Sequence, residues 1–86
     1  MVEKSVEITN KTGLHARPAS EFAKAAGKFK SKVFAELDGR KCNAKSIIGI
    51  ISLGASQGKV VTVSAEGEDE KEAVEALSSL LASFTD

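Results

Sequence analysis

The sequence has no tryptophan and no tyrosine, and one copy each of cysteine, proline, histidine and methionine among 86 residues. One cysteine, Cys42, cannot form an internal disulfide, so the core must hold without a covalent staple. A lone thiol also points to a reducing compartment, and cytoplasm is the expected location. No stretch is apolar for long enough to span a bilayer, and no charged-then-apolar leader opens the chain. Neither a membrane anchor nor an export signal is therefore expected. Net charge is missing too, because twelve basic side chains balance twelve acidic ones. Without a field of one sign, neither nucleic acid nor a membrane is an expected partner. Cys42 has no companion ligands, and Gly67-Glu68-Asp69-Glu70 reads as a turn and helix start, so no metal or cofactor is expected. Linkers, repeats and low-complexity tracts are absent as well. Residues 1–86 read as one small domain, burying roughly 60% of its unfolded surface.

What is present is concentrated in one stretch, Thr12-Gly13-Leu14-His15-Ala16-Arg17-Pro18-Ala19, which holds the only histidine and the only proline. Pro18 suits a first helical turn, where a missing N–H leaves no bond unmade. Ala19, Phe22, Ala23 and Ala26 follow at helical spacing, giving an amphipathic helix from about Arg17 to Ala26, with Gly27 as a left-handed stop. His15 and Arg17 then stand at the N-terminal end, beside backbone N–H groups without intrahelical acceptors. Such an end attracts anions, and a guanidinium suits phosphate or carboxylate oxygens. The helix dipole disfavours a charged imidazole there by about 0.3–1 kcal/mol, and Arg17 acts in the same direction. A neutral ring with a free lone pair inside an anion site points to an imidazole that takes and gives up a phosphoryl group. Thr12 and Gly13 shape the loop that presents it, and Leu14 and Ala16 supply apolar contact.

The rest of the chain alternates with period two in three places. Val6 and Ile8 form a half-buried strand ending near Asn10, and Val33, Ala35 and Leu37 form a second. Asp38-Gly39 predicts a two-residue hairpin, pairing Leu37 with Arg40 and Ala35 with Cys42, which places Cys42 on the core face. Val61, Val63 and Ala65 give the last strand. A final helix starts near Asp69, with Glu70 and Glu72 at its positive end and a stripe of Ala73, Val74, Leu77, Leu81 and Phe84. The order β-α-β-β-α-β-α with half-polar strands implies an α+β fold, with helices covering one face of an antiparallel or mixed sheet.

The segment from Ser46 to Gly54 is unusual. Ser46 is a natural N-cap and Gly54 a natural stop, yet Ile47, Ile48, Ile50, Ile51 and Leu53 leave almost no polar face between them. Ile50 and Leu53 point one way, and Ile47, Ile48 and Ile51 another. A helix on one side of a sheet buries one direction, so the second trio should be an exposed patch that meets a partner. The competing reading has both directions covered by other helices.

Thr12-Gly13-Leu14-His15-Ala16-Arg17-Pro18-Ala19 resembles the active-site signature of HPr, the histidine-containing phosphocarrier family of the bacterial phosphoenolpyruvate:sugar phosphotransferase system. Asn43 to Gly54 resembles that family's regulatory-serine motif, at the usual spacing. The resemblance implies an open-faced β-sandwich, four antiparallel strands with three helices on one face. It implies that His15 accepts a phosphoryl group on Nδ1 from phosphorylated Enzyme I and passes it to EIIA domains of sugar permeases, with Arg17 steadying the phosphate. The protein would be a stoichiometric carrier and not an enzyme, and a monomer. Leu14, Ala16, Ser20, Lys24, Lys45, Ile47, Ile48 and Ile51 fall where the family docks its partners, and Lys24, Lys28 and Lys45 would ring His15 and the patch. Ile48 and Ile51 stand where methionine or other residues often appear in relatives, which bears on partner preference. Ser46 matches a serine that a dedicated HPr kinase/phosphorylase modifies in some bacterial groups, and its phosphorylation would engage a catabolite-control transcription factor. The plain alternative for Ser46 is a cap. Two other readings stay open, a relative in the nitrogen-regulatory branch and a regulatory module that passes no phosphate. Family members that only regulate tend to lack the active histidine, whereas His15 is present.

Overall fold

The computed structural model describes residues 1–84. The elements follow in the expected order: β1 (Val2–Glu7), α1 (Ala16–Ala26), β2 (Lys32–Leu37), β3 (Arg40–Asn43), α2 (Ile47–Ser52), β4 (Val60–Glu66) and α3 (Glu70–Ser83). The four strands form one antiparallel sheet in the spatial order β1-β4-β2-β3. Three helices cover one face, which makes this the open-faced sandwich.

Alternation explains which face is covered. Val33, Ala35 and Leu37 of β2 and Val61, Val63 and Ala65 of β4 are buried beneath the helices. Phe22 and Ala26 of α1, Ile50 of α2, and Val74, Leu77 and Leu81 of α3 close the same core from the other side. The opposite face carries polar pairs, such as Ser5 Oγ and Thr62 Oγ1 at 3.0 Å. There Lys41 also lies over the Phe34 ring at 4.7 Å, a cation–π contact.

The hairpin has the expected register, with Leu37 opposite Arg40 and Ala35 opposite Cys42. Asp38 and Gly39 both have positive φ, as the tight turn demands. Cys42 is only half-buried, because β3 is an outer strand with no further strand beyond it. That burial still pushes its thiol pKa up.

Two boundaries differ from expectation. Strand β1 ends at Glu7, and the buried Ile8 lies just beyond it, exchanging backbone bonds of 2.8 Å with Lys59 and Gly58. Gly27 is no left-handed stop: its φ is −65°, and the chain continues through tighter bonds, Lys28 N–H to Ala25 O and Phe29 N–H to Ala26 O, both 3.2 Å. A 3₁₀ turn absorbs the end of α1 without needing positive φ.

The start of α3 holds a long-range latch. Asp69 does not cap its own helix. Its carboxylate accepts from the Ser31 hydroxyl and from the N–H groups of Lys30 and Ser31, both at 2.9 Å, and Ser31 Oγ accepts from the Asp69 N–H at 3.2 Å. The Ser31 hydroxyl, aided by those N–H groups, lowers the Asp69 pKa from the ordinary 3.8 to about 2. A carboxyl depressed on folding adds stability above its unfolded value and loses it as pH falls through the folded one. Asp69→Asn should therefore melt earlier than the parent at neutral pH. The gap should close as pH drops from 3.8 toward about 2. Thermal melts across that window check it, and a gap independent of pH would refute the latch as an ionic contribution.

Candidate functional site

The site begins in the loop between β1 and α1. Gly13 takes φ +69°, and its bare Cα packs against the backbone of Ala55 and Ser56, where a Cβ would overlap the Ala55 carbonyl oxygen. The Leu14 N–H donates to that oxygen at 2.9 Å. With its backbone pinned, Leu14 turns its side chain into the core, where it is 3% exposed. Leu14 is therefore no part of a docking surface, contrary to its sequence assignment. Its contribution is to anchor the residue that follows.

His15 is the N-cap of α1, with extended backbone and no side-chain cap bond. Its carbonyl accepts the first helical bond, from the Ala19 N–H at 2.9 Å, while its ring is exposed. The Ala16 and Arg17 N–H groups belong to the first turn and have no intrahelical acceptor. Pro18 contributes none, so the helix end offers two backbone donors beside His15. The Arg17 guanidinium is exposed at the same end, and Ala16 is exposed between them. Ser20 lies half-buried one turn further along. An exposed ring, two free N–H donors and a guanidinium can together receive a dianionic group.

Helix α2 lies beside α1. Ser46 caps it, its Oγ accepting from the Gly49 N–H at 3.1 Å. Gly49 suits that place, since a Cβ there would press on Ser46 Oγ at 3.3 Å. Ile50 and Leu53 are buried, whereas Ile47, Ile48 and Ile51 are 43%, 81% and 41% exposed. The isoleucines thus divide as their angular positions require, and the second trio is a solvent-facing patch. At the end of α2, Gly54 takes φ +66° and leads into Ala55, the acceptor for Leu14. At its start, Lys45 Nζ donates to the Phe29 carbonyl, just past α1, at 2.9 Å. The two helices consequently run antiparallel. The patch stretches from Ser46 at one end to the His15 loop at the other.

The lysines are arranged differently from the expected ring. Lys24 lies in the last turn of α1, about 13 Å along the axis from His15, and Lys28 follows it. With Lys45 tied to Phe29 O, all three belong to the Ser46 end. They complement the negative end of α1, away from the end where His15 and Arg17 stand. Ser31 and Asp69 pair over a separation of 38 residues, beyond any local pattern. Asn10, read from sequence only as the end of a strand, donates from Nδ2 to the Gly13 carbonyl at 2.8 Å. An asparagine three residues before a turn glycine was the signal available for it. Among the described residues, no group of three or more histidine, cysteine, aspartate and glutamate side chains could hold a metal. Nor is any helix there long and apolar enough to cross a membrane.

Comparison with known proteins bears on the family and the fold. Residues 2–83 match the family PTS-HPr, described as the PTS HPr component phosphorylation site. The HPr-like protein Crh of Bacillus subtilis (strain 168) is 56% identical over 77 residues, which are 90% of this chain and 91% of Crh. The phosphocarrier protein HPr of Buchnera aphidicola subsp. Acyrthosiphon pisum is 48% identical over 81 residues, 94% of this chain and 95% of the relative. A crystal structure of HPr-C-His from Thermoanaerobacter tengcongensis superposes with a TM-score of 0.92 at 59% identity, covering 96% of this chain and 93% of that one. A structure described as an HPr dimer from the same organism gives 0.76 at 59% identity, covering 96% and 95%. The chain belongs to the HPr family, the histidine-containing phosphocarriers of the bacterial phosphoenolpyruvate:sugar phosphotransferase system.

Proposed function

We propose that this chain relays a phosphoryl group from phosphorylated Enzyme I, through His15, to EIIA domains of sugar permeases. The observation that carries the reading is the exposed, uncapped His15 ring beside two free N–H donors and Arg17. A neutral ring nitrogen, Nδ1 by family resemblance, attacks phosphorus with its lone pair as the bond to the donor breaks. The ring becomes positive while the transferred oxygens stay negative, and the helix end and the Arg17 fork stabilise them. In the onward step neutral imidazole leaves, which keeps the carried group labile. The chain works stoichiometrically in the cytoplasm, one phosphate per monomer. Incubation with phosphoenolpyruvate and Enzyme I, on monomer separated from any dimer by gel filtration, tests this. One acid-labile phosphate on His15 is expected, and none would overturn the relay.

The isoleucine patch is the proposed docking surface, continuous with Ala16 and Ser20 through the antiparallel packing of α1 and α2. Ile48 has the most exposed of these side chains. Ile48→Asp should change folding stability by no more than about 0.5 kcal/mol. It should weaken Enzyme I binding by about 2 kcal/mol, roughly thirtyfold. A titration beside a melt reads both quantities, and a large stability loss with unchanged binding would show the patch to be core.

Ser46 is proposed to carry a second, regulatory phosphate from an ATP-dependent HPr kinase, engaging a catabolite-control transcription factor. A phosphate on Oγ would face the free N–H groups of α2 and Lys45, so the helix should persist. The added charge lies at the end of the patch away from His15 and acts on docking, not on the ring. Ser46→Asp should fold as the parent does and slow transfer from Enzyme I about tenfold, largely through weaker binding. Transfer at the parental rate would leave Ser46 as a cap alone. A solved relative described as Crh, the Bacillus subtilis catabolite repression HPr, is 49% identical and supports a regulatory module as a second reading, and the labelling experiment separates the two.

A further inference from the structure

Asn10 is 4% exposed, an unusual burial for a side chain just past an edge strand. Its Nδ2 donates to the Gly13 carbonyl at 2.8 Å, and the Gly13 N–H donates to the Asn10 carbonyl at 3.2 Å. Together these bonds close residues 10–13 into a turn, and the Leu14 N–H fixes the end of that turn to Ala55 at 2.9 Å. The Nδ2 bond thus ties this buried side chain to the turn. The His15 side chain, by contrast, makes no bond to the helix end it caps. The ring therefore inherits its position from the backbone on either side, helix α1 after it and the turn before it.

We propose that Asn10 is a positioning residue for phosphoryl transfer at His15, holding the loop so that the ring nitrogen meets phosphorus in line. The inference rests on the relay reading above and adds a residue to it. In-line attack tolerates little error, since a displacement of about 1 Å can cost about a hundredfold in rate. Removing the amide leaves the Gly13 carbonyl, in a buried residue, without its side-chain donor, and the loop must shift to find another. The proposed docking surface, the α2 patch with Ala16 and Ser20, keeps its side chains in the variant, so the effect should fall on turnover.

The test uses Asn10→Ala and Asn10→Asp in the full chain, well below their melting temperatures. With phosphorylated Enzyme I as donor, turnover of Asn10→Ala should fall roughly ten- to a hundredfold. Its Michaelis constant should move less than about twofold. Asn10→Asp keeps the shape, but an ionised carboxylate cannot donate. Its rate relative to the parent should therefore recover as pH falls and the acid regains an O–H. In both the parent and Asn10→Ala, NMR of the His15 ring protons reads the position directly, and the variant should show new shifts and averaging. Parental turnover in both variants, or a raised Michaelis constant at parental turnover, overturns the proposal. If the parent itself takes no phosphate, the relay reading has failed. The ring spectrum then decides, and an unchanged spectrum in Asn10→Ala refutes the positioning role.

Discussion

His15→Ala is expected to fold like the parent and to take no phosphate from phosphorylated Enzyme I. Both halves follow from the same local structure. The ring is exposed and makes no cap bond, so its removal breaks no contact on which α1 depends. Surface substitutions of this kind usually change stability by no more than about 0.5 kcal/mol. The chemical loss should be complete because the chain has no second imidazole. Nearby hydroxyls, those of Thr12 and Ser20, would need a general base to attack phosphorus, and a phosphate ester formed there would survive mild acid. The helix end and Arg17 survive the substitution. Inorganic phosphate should therefore bind the variant about as weakly as it binds the parent, while acid-labile labelling vanishes. Mass measurement before and after mild acid reads the labelling. Undiminished acid-labile phosphate would move the acceptor to another residue and end the relay as drawn.

Arg17→Ala gives a graded counterpart. It leaves the nucleophile and removes the fork, so transfer should slow more than docking weakens, and lysine should restore only part of the rate.

The parts of this molecule legible in the sequence are those with a short period or a local chemical requirement. The hairpin register followed from Asp38-Gly39 alone, because only a two-residue turn with positive φ at both positions fits there. The division of the isoleucines on α2 followed from angular spacing and the need to bury one side. Where expectation failed, the deciding contact came from a distant segment. Leu14 looked like a neighbour of the active residue and hence of its partners. The Ala55 carbonyl, 41 positions on, orients its backbone so that the side chain turns inward. The lysine ring failed because α2 runs antiparallel to α1, which no spacing within either helix reveals. Cys42 shows the intermediate case. Its face was legible, but its exposure depended on β3 being an outer strand.

Gly13→Ala should be among the most damaging small substitutions outside the core, and Gly54→Ala shows why. Both glycines have φ near the left-handed minimum, +69° and +66°. An L-residue there pays about 1–2 kcal/mol in local strain. Beyond that the two differ. A Cβ at Gly54 meets nothing within 4 Å, whereas one at Gly13 overlaps the Ala55 oxygen and stands 2.9 Å from Ser56 Cα. Both obstacles are backbone, so no side chain can swing aside. The loop must withdraw from the end of α2 and forfeit the Leu14–Ala55 hydrogen bond, worth about 1 kcal/mol. Gly13→Ala should then cost roughly 2–3 kcal/mol in total, against about 1–2 kcal/mol for Gly54→Ala. For a domain of this size the difference of about 1 kcal/mol puts the melting point of Gly13→Ala roughly 4–8 °C below that of Gly54→Ala. The same withdrawal shifts the backbone that enters His15 and so turns its ring relative to the helix end and Arg17. Transfer should therefore fall in Gly13→Ala even at temperatures where the fold is intact, and stay near parental in Gly54→Ala. Melts and single-turnover transfer on the pair check both statements. Equal losses from the two substitutions would mean that backbone conformation alone, and not the contact with Ala55, holds the histidine loop.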